Sequence, residues 1–350
     1  MAILTTPPPV TSVDWTNLES IVVEGNGHIE SRYNAETDEW SIPRFVHGHN
    51  LRSNELEPLL SYGQQAYEGI KACRDPHGTI RIFRPEFHAD RFQHTCCIMS
   101  VPSMSQDHFT RCVELAVSRN AEYVPPHDSD AMLYIRPTVF GPVSHSSSSR
   151  SSDFLLSVAV CAGRDCYLTR PLDALVMDEL NGATPHNASP VNSEEQIRTK
   201  KYGLTLHVDG RTHTEIIGFT RASFIGIMGG KGDGNIRVVL PEHCNILDNA
   251  TNNSCVTIAR SLGWVVEKRG IHVASLSEFS EVLAVGDTAD LTPVKSITHL
   301  HDNSRVQVTY DATAEGKPGP VATELCQRLK DIKKGRAPDD FGWCYKVQLL

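Results

Sequence analysis

The sequence predicts a two-domain protein of the α/β (α+β) class, and three observations support this. The chain has 350 residues, of which 40% are apolar and 21% charged, and this suits two globular domains of ordinary size. Runs rich in β-branched and aromatic residues are interspersed with segments of helical periodicity. The composition changes over Ala162–Pro171. We therefore expect a loose lead-in over residues 1–20, a small α/β domain over 21–165 and a larger mixed domain over 166–350.

In the first domain, three runs bounded by Gly, Pro or Ser clusters predict strands: Thr79–Phe83, Met132–Val139 and Phe154–Val160. A helix is expected to begin after Ser105, a residue type that caps helices well, and to end near Asn120. Its apolar side chains fall on one face: Phe109, Val113 and Ala116. The polar run Ser144–Ser152 is typical of a surface loop.

In the second domain, Leu204–Val208 predicts a strand. The glycine cluster Gly229–Gly234 predicts the tight turn of a hairpin rather than a phosphate-binding loop, because no G-K-[ST] follows it. A helix is expected over Asn252–Leu262, ending at Gly263.

Two further helices are predicted near the C-terminus. Ser275 and Glu278 have the spacing of a capping box and predict a short helix after them. The last helix carries an apolar stripe and ends at Gly335; the stripe consists of Val321, Leu325, Leu329 and Ile332.

Bulk properties exclude several classes of protein. The formal net charge of −9 argues against a nucleic-acid-binding surface, and no run of about 18 apolar residues predicts a membrane span. The N-terminal residues lack the pattern of a secretory signal. The 10 cysteines show no disulfide framework, so we expect a reducing, cytoplasmic compartment. The 16 histidines form no metal-binding motif, and no metal is expected.

The segment Ser61–Ala72, SYGQQAYEGIKA, resembles the opening motif of the branched-chain aminotransferases, a family of pyridoxal 5'-phosphate (PLP) proteins with fold type IV. The resemblance continues through Ile82–Glu86, Asp90–Phe92 and Leu133–Pro137, and Leu206–Gly210 is similar to fungal members. It implies amino transfer between a hydrophobic amino acid and 2-oxoglutarate, in a homodimer. For some fungal relatives it also implies a role in secondary (toxin) metabolism.

The resemblance also implies roles for individual residues. Arg91 and Thr288 would contact the PLP phosphate, and Ala250 and Thr251 would offer it backbone amides at a helix start. The alternative for Arg91 is a surface salt bridge with Asp90 or Glu86. Asp287 stands at a position where the family has threonine, and a carboxylate there would repel a phosphate.

On the substrate side, Tyr67, Tyr134 and Arg136 match positions of the amino-acid pocket. Tyr134 could equally be a core residue. Arg136, inside an apolar strand, is expected to need an anionic or acceptor partner.

The family's Schiff-base lysine lies in a K-x-G-G-N-Y-x-P segment, but the matching segment here is Gly182–Pro190, GATPHNASP. The lysine and two glycines are missing near Pro185–Asn187, and Ala188 replaces the tyrosine. Gly218 stands where the family has the glutamate that binds the pyridine nitrogen, and Glu215 is a poor substitute. Lys200 and Lys201 are the nearest lysines. No catalytic residue is identified.

Three hypotheses remain open. The protein is an aminotransferase whose sequence lacks a segment through a gene-model error, a degenerate homologue that keeps the fold and binds a phosphate ligand or a partner, or a PLP protein of another class such as a lyase. The deletion alone favours the first hypothesis. Ala188, Gly218 and Asp287 lie outside the gap and favour the second.

Overall fold

The computed structural model describes residues 6–16, 18, 23–48, 65–141, 154–164, 170–178, 202–220, 222–230, 235–242, 248–287, 290–301, 304–310 and 316–349. The chain divides into two compact units. The first comprises Met1–Asp165 and Asp331–Leu350, and the second comprises Cys166–Lys330. No helix in the described part of the chain is long and apolar enough to cross a membrane.

The first unit contains a mostly antiparallel sheet. Its strands are β1 Val23–Glu24, β2 Gly27–Asn34, β3 Glu39–Trp40, β4 Arg44–His47, β5 Gln65–Tyr67, β6 Ile70–Arg74, β7 Ile80–Phe83, β8 Ala131–Phe140, β9 Leu155–Arg164 and β19 Cys344–Lys346. The main order is β19-β7-β6-β8-β9-β2-β3, while β1 pairs with β9, β4 with β2 and β5 with β8. The three strands predicted from sequence are therefore present, and β9 continues four residues beyond its expected end.

Two helices pack on this sheet: α1 over Pro85–Ile98 and α2 over Gln106–Ser118. The Ser105 side chain accepts a hydrogen bond from the His108 amide, so the predicted N-cap is confirmed. The predicted apolar face of α2 is buried, and the Phe109 ring packs against Phe92 of α1 in a tilted arrangement with ring centroids 4.9 Å apart. The core of this unit thus lies between the two helices and one face of the sheet.

The C-terminal segment returns to the first unit. Strand β19 pairs antiparallel with β7, with Cys344 opposite Phe83. The sequence assigned this segment to the domain over 166–350, because strand pairing between distant segments leaves no periodic signal. With residues 331–350 added to the first unit, the two units are similar in length.

The second unit is built on a mixed sheet. Its strands are β10 Leu172–Asp178, β11 Leu204–Val208, β12 Ile216–Phe219, β13 Ser223–Met228, β14 Arg237–Pro241, β15 Val265–Arg269, β16 Glu281–Gly286, β17 Asp290–His301 and β18 Ser304–Thr309. The order is β12-β11-β10-β17-β16-β13-β14-β15, with β18 beside β17. β13 and β14 form the predicted hairpin, with Met228 opposite Arg237.

Helix α3 covers Ala250–Ser261, two residues earlier than predicted at its start, and Gly263 follows it with φ of +76°. Helix α4 covers Pro320–Lys333; its predicted stripe is buried, and Gly335 follows with φ of +64°. Both positive φ values are those that glycine adopts easily after a helix.

The capping-box prediction is wrong. Ser275 and Glu278 lie within a 3₁₀ helix over Val273–Glu278, which is followed by β16. The His272 side chain, not Ser275, accepts the amide hydrogen bond at its start, from Ala274. The hydroxyl of Ser275 instead donates to the His272 carbonyl.

Candidate active site

One face of the first sheet brings the predicted substrate residues together. β5 and β6 pair with β8 in one register, with Tyr67 opposite Thr138 and Lys71 opposite Tyr134. Opposed residues, and residues two apart on a strand, point to the same face. Tyr67, Lys71, Tyr134 and Arg136 therefore share this face.

The four side chains differ in exposure. Tyr67 is 44% exposed, and Arg136 is also exposed, so its guanidinium is solvated and the expected anionic partner is not required. Lys71 is buried with its Nζ 5.2 Å from the centre of the Tyr134 ring, a cation–π distance. The Tyr134 hydroxyl donates to the Arg164 carbonyl at 3.2 Å. Lys71 was missed as a site residue, although it lies within the motif Ser61–Ala72 that carries the family resemblance.

Arg91, the predicted phosphate ligand on α1, forms a bidentate ion pair. Its Nε and Nη2 donate to the two carboxylate oxygens of Glu68 at 2.7 and 2.5 Å. His88, one turn earlier on α1, lies 2.8 Å from the same carboxylate through Nδ1. Glu68 and His88 are each 2% exposed. Arg91 thus pairs with Glu68, a residue that was not among the salt-bridge partners considered from the sequence.

The start of α3 is tied to the second sheet. The Asn249 side chain caps the helix by accepting from the Asn252 amide at 2.8 Å. Its Nδ2 donates to Ser223 Oγ at 2.9 Å and to the Val285 carbonyl at 3.1 Å. The first turn of α3 is therefore fixed against β13 and β16.

A carboxylate of the protein accepts a hydrogen bond from another amide at the start of α3. Asp287, which directly follows β16, accepts from the Thr251 amide at 3.0 Å and from the Thr251 hydroxyl at 3.1 Å, both through Oδ1. Thr251 and Ala250 are 2% and 1% exposed. Of the donors that the family resemblance assigns to a phosphate, the two of Thr251 thus bind an internal anion.

Gly218 lies on β12 opposite His207 of β11 and provides no carboxylate. Glu215 is exposed, and its amide donates to Asp209. The buried ring of His207 contacts Thr220 Oγ1 through Nε2 at 2.7 Å, and burial lowers the pKa of His207 below its usual value. A lowered pKa keeps this imidazole neutral at neutral pH.

Several predicted positions lie outside the residues that the structure describes. They are Thr288, the segment Gly182–Pro190, the loop Ser144–Ser152, and the two lysines Lys200 and Lys201.

The residues present do not fit PLP. The cofactor needs a lysine, a carboxylate for the pyridine nitrogen and donors for its phosphate. The chain has no lysine between Lys71 and Lys200, and Gly218 cannot supply the carboxylate. The Thr251 donors already bind Asp287. Among the described residues, those at the family positions therefore supply neither the lysine nor the carboxylate, and the Thr251 donors are occupied.

Comparison with known proteins gives the ancestry of the chain. It is 43% identical to aminotransferase poxL of Penicillium oxalicum, over 97% of this chain and 95% of the relative. It is 41% identical to aminotransferase atnJ of Emericella nidulans, over 92% of this chain and 95% of the relative. No protein-family model matches the chain.

Solved structures show the same fold. The branched-chain amino acid aminotransferase of Escherichia coli superposes with a TM-score of 0.66 at 19% identity, over 93% of this chain and 99% of that one. The holo enzyme from Thermobaculum terrenum gives a TM-score of 0.69 at 17% identity, with the same coverage. The chain therefore belongs to the aminotransferase family that includes these fungal relatives, and it has the type IV fold of the branched-chain aminotransferases.

Proposed function

We propose that this chain keeps the fold of a branched-chain-type aminotransferase without catalysing amino transfer itself. The observation that carries the proposal is that no lysine occurs between Lys71 and Lys200, the part of the chain in which the family's Schiff-base lysine falls. PLP supplies the electron sink for amino transfer, and the reaction also needs that lysine amine. A polypeptide without that lysine lacks the amine that forms the Schiff base and moves the α-proton in this reaction.

Two further positions support this proposal. Gly218 replaces the acid that would keep a pyridine nitrogen protonated, and Asp287 holds the Thr251 donors. Both lie outside the missing lysine segment, so a single missed segment cannot account for them. Independent losses at separate positions are the expected result of relaxed selection on catalysis.

The second candidate function is the family reaction, amino transfer between a hydrophobic amino acid and 2-oxoglutarate with PLP, in fungal secondary metabolism. The sheet face of Tyr67, Lys71, Tyr134 and Arg136 favours it. Two cations beside two phenols suit a ligand that carries a carboxylate and an apolar chain. This candidate requires the expressed protein to contain a lysine segment that the present sequence lacks.

An amino-transfer assay separates the two candidates. The purified protein is incubated with PLP, 2-oxoglutarate and valine, leucine or isoleucine, and glutamate is measured. We expect no glutamate above the enzyme-free control. The Penicillium oxalicum relative is assayed in parallel, so that the glutamate formed by the two proteins can be compared. Glutamate formation would refute the proposal. Sequencing the transcript across Leu180–Lys201 shows separately whether the native message encodes the missing lysine.

We further propose a cytoplasmic homodimer. The family implies a site completed by a second copy, and Tyr67, at such a position, is 44% exposed in the single chain. Light scattering at micromolar protein is expected to give twice the chain mass of 38.7 kDa. A monomer mass would contradict the proposal.

A further inference from the structure

The N-terminus of α3 has the electrostatic character of an anion site. The first amides of a helix have no partner within the helix, and the helix dipole makes this end positive. In α3, which has 12 residues, the amides of Thr251 and Asn252 are both satisfied by side chains of the protein. Asn249 satisfies Asn252, and Asp287 satisfies Thr251. Only Asp287 brings a negative charge to these two amides.

The position of Asp287 is fixed by the fold. Strand β16 is buried along its length and pairs with β13 and β17. The hydrogen bond from Asn249 Nδ2 to the Val285 carbonyl ties the helix start to this strand, two residues before Asp287. Asp287 directly follows this rigid strand. Holding its carboxylate at the start of α3 therefore costs little conformational entropy.

A second carboxylate adds to the negative charge. Asp248 accepts from the side chains of Asn252 and Asn253 at 3.1 and 3.0 Å. A phosphate dianion at the Thr251 donors would have to displace Asp287 while lying close to Asp248. Repulsion between like charges opposes both steps.

We infer that Asp287 is a built-in replacement for the cofactor phosphate: it stabilises the start of α3 without PLP and closes this position to phosphate ligands. This role of Asp287 deepens the proposed function. It rests on that proposal only in taking Thr251 as a position that binds the phosphate in the family. It predicts a gain of binding. Replacing Asp287 by threonine, the family's residue, frees the amide and hydroxyl of Thr251 and removes the repelling charge.

The test compares the full-length protein with the variants Asp287→Thr and Asp287→Asn. A matched control, Asp248→Asn, removes one charge from the same helix end but leaves the Thr251 donors bound to Asp287. Inorganic phosphate and PLP are titrated into each protein by calorimetry, and circular dichroism verifies folding. Asp287→Thr is expected to bind both ligands about tenfold to a hundredfold more tightly than wild type, the effect of one charge-assisted hydrogen bond.

The parent protein and Asp248→Asn should bind inorganic phosphate about tenfold to a hundredfold more weakly than Asp287→Thr. Asp287→Asn keeps the side-chain volume and removes the charge, but its amide oxygen can still accept from Thr251. It should gain affinity in the same direction by a smaller factor, and it decides the question if the threonine variant does not fold. Phosphate binding by the parent protein that neither Asp287 variant strengthens would overturn the inference. Inorganic phosphate needs no lysine, so this outcome is distinct from glutamate formation, which would instead refute the proposed function.

Discussion

The ion pair between Arg91 and Glu68 links α1 to the loop that follows β5. Both nitrogen–oxygen distances fall at or below 2.7 Å, and the Arg91 side chain is 19% exposed against 2% for Glu68. A carboxylate buried to this extent is stable only if it remains paired, because desolvation of an unpaired charge is costly. The sequence motif identified Arg91 but gave no sign of its partner, 23 residues earlier.

Neutralising Glu68 should therefore destabilise the protein. We expect Glu68→Gln to lower the free energy of unfolding by about 3 kcal/mol, since it removes the charge from a buried, bidentate ion pair with Arg91. Glu86→Gln, in the exposed first turn of the same helix, should cost less than about 1 kcal/mol. Urea denaturation of wild type, Glu68→Gln and Glu86→Gln measures the three free energies of unfolding. Equal effects of the two substitutions would show that the Glu68 pair does not stabilise the fold.

The Asp209 carboxylate accepts hydrogen bonds from residues of the turn between β11 and β12. Burial alone would raise its pKa, but hydrogen bonds from Thr212, Glu215 and Thr214 outweigh burial and hold the pKa of this carboxyl well below its usual value of 3.8. A group whose pKa is lower in the folded state stabilises the protein above its unfolded pKa. This stabilisation is lost as the pH falls below about 3.8 toward the folded value.

Asp209→Asn should consequently cost about 2–3 kcal/mol of unfolding free energy at pH 7, by loss of charge-assisted hydrogen bonds. The difference from wild type should shrink when unfolding is measured near pH 3. Asp128→Asn, at an exposed position, is the control and should leave the free energy of unfolding unchanged at both pH values. A difference that stays constant between pH 7 and pH 3 would rule out the ionised carboxylate as its cause.

At the scale of elements, local patterns predicted the structure well and long-range contacts were missed. Leu204–Val208 is a strand with the predicted bounds, and Ser105 caps α2 as expected, because both depend on neighbouring residues. The capping box at Ser275 failed, because its spacing matched a motif while the chain there continues into β16. The Asp287–Thr251 contact spans 36 residues, and only the tertiary fold creates it.

Helix α4 shows the same dependence on distant residues. Its first amides, on Val321 and Ala322, each donate at 2.9 Å to the carboxylate of Glu281 on β16. Glu281 is 2% exposed, and the Gly319 backbone passes so close that any side chain at this position would collide with it. The cap of α4 is therefore supplied by a strand and not by the sequence before the helix.

Removal of this cap should weaken the second unit. Glu281→Ala is expected to lower the unfolding free energy by about 3 kcal/mol, because two charge-assisted hydrogen bonds at a buried helix end are lost. Glu324→Ala, which breaks an exposed pair with Arg328 on the same helix, should change it by no more than about 0.5 kcal/mol. Thermal unfolding with both variants provides the comparison, and a neutral Glu281→Ala would contradict this role.

At the scale of the whole molecule, each unit is closed by contacts between its own residues. The first unit is completed by β19, and the second by the internal caps that Asp287 and Glu281 provide. The family resemblance predicted the fold, since motif spacing is retained along most of the chain. It could not predict that carboxylates of the protein fill positions assigned to a ligand, because that depends on distances between separate strands and helices.

Treatment with PLP and then borohydride tests the central claim most directly. Borohydride reduces a cofactor–lysine linkage to a stable adduct, which peptide mapping locates by mass. We predict no stoichiometric pyridoxyl adduct on any lysine and no change in melting temperature with PLP, because the sequence has no lysine between Lys71 and Lys200 and Asp287 holds the Thr251 donors. A single stoichiometric adduct, on Lys200 or Lys201 for example, accompanied by a higher melting temperature, would contradict the account.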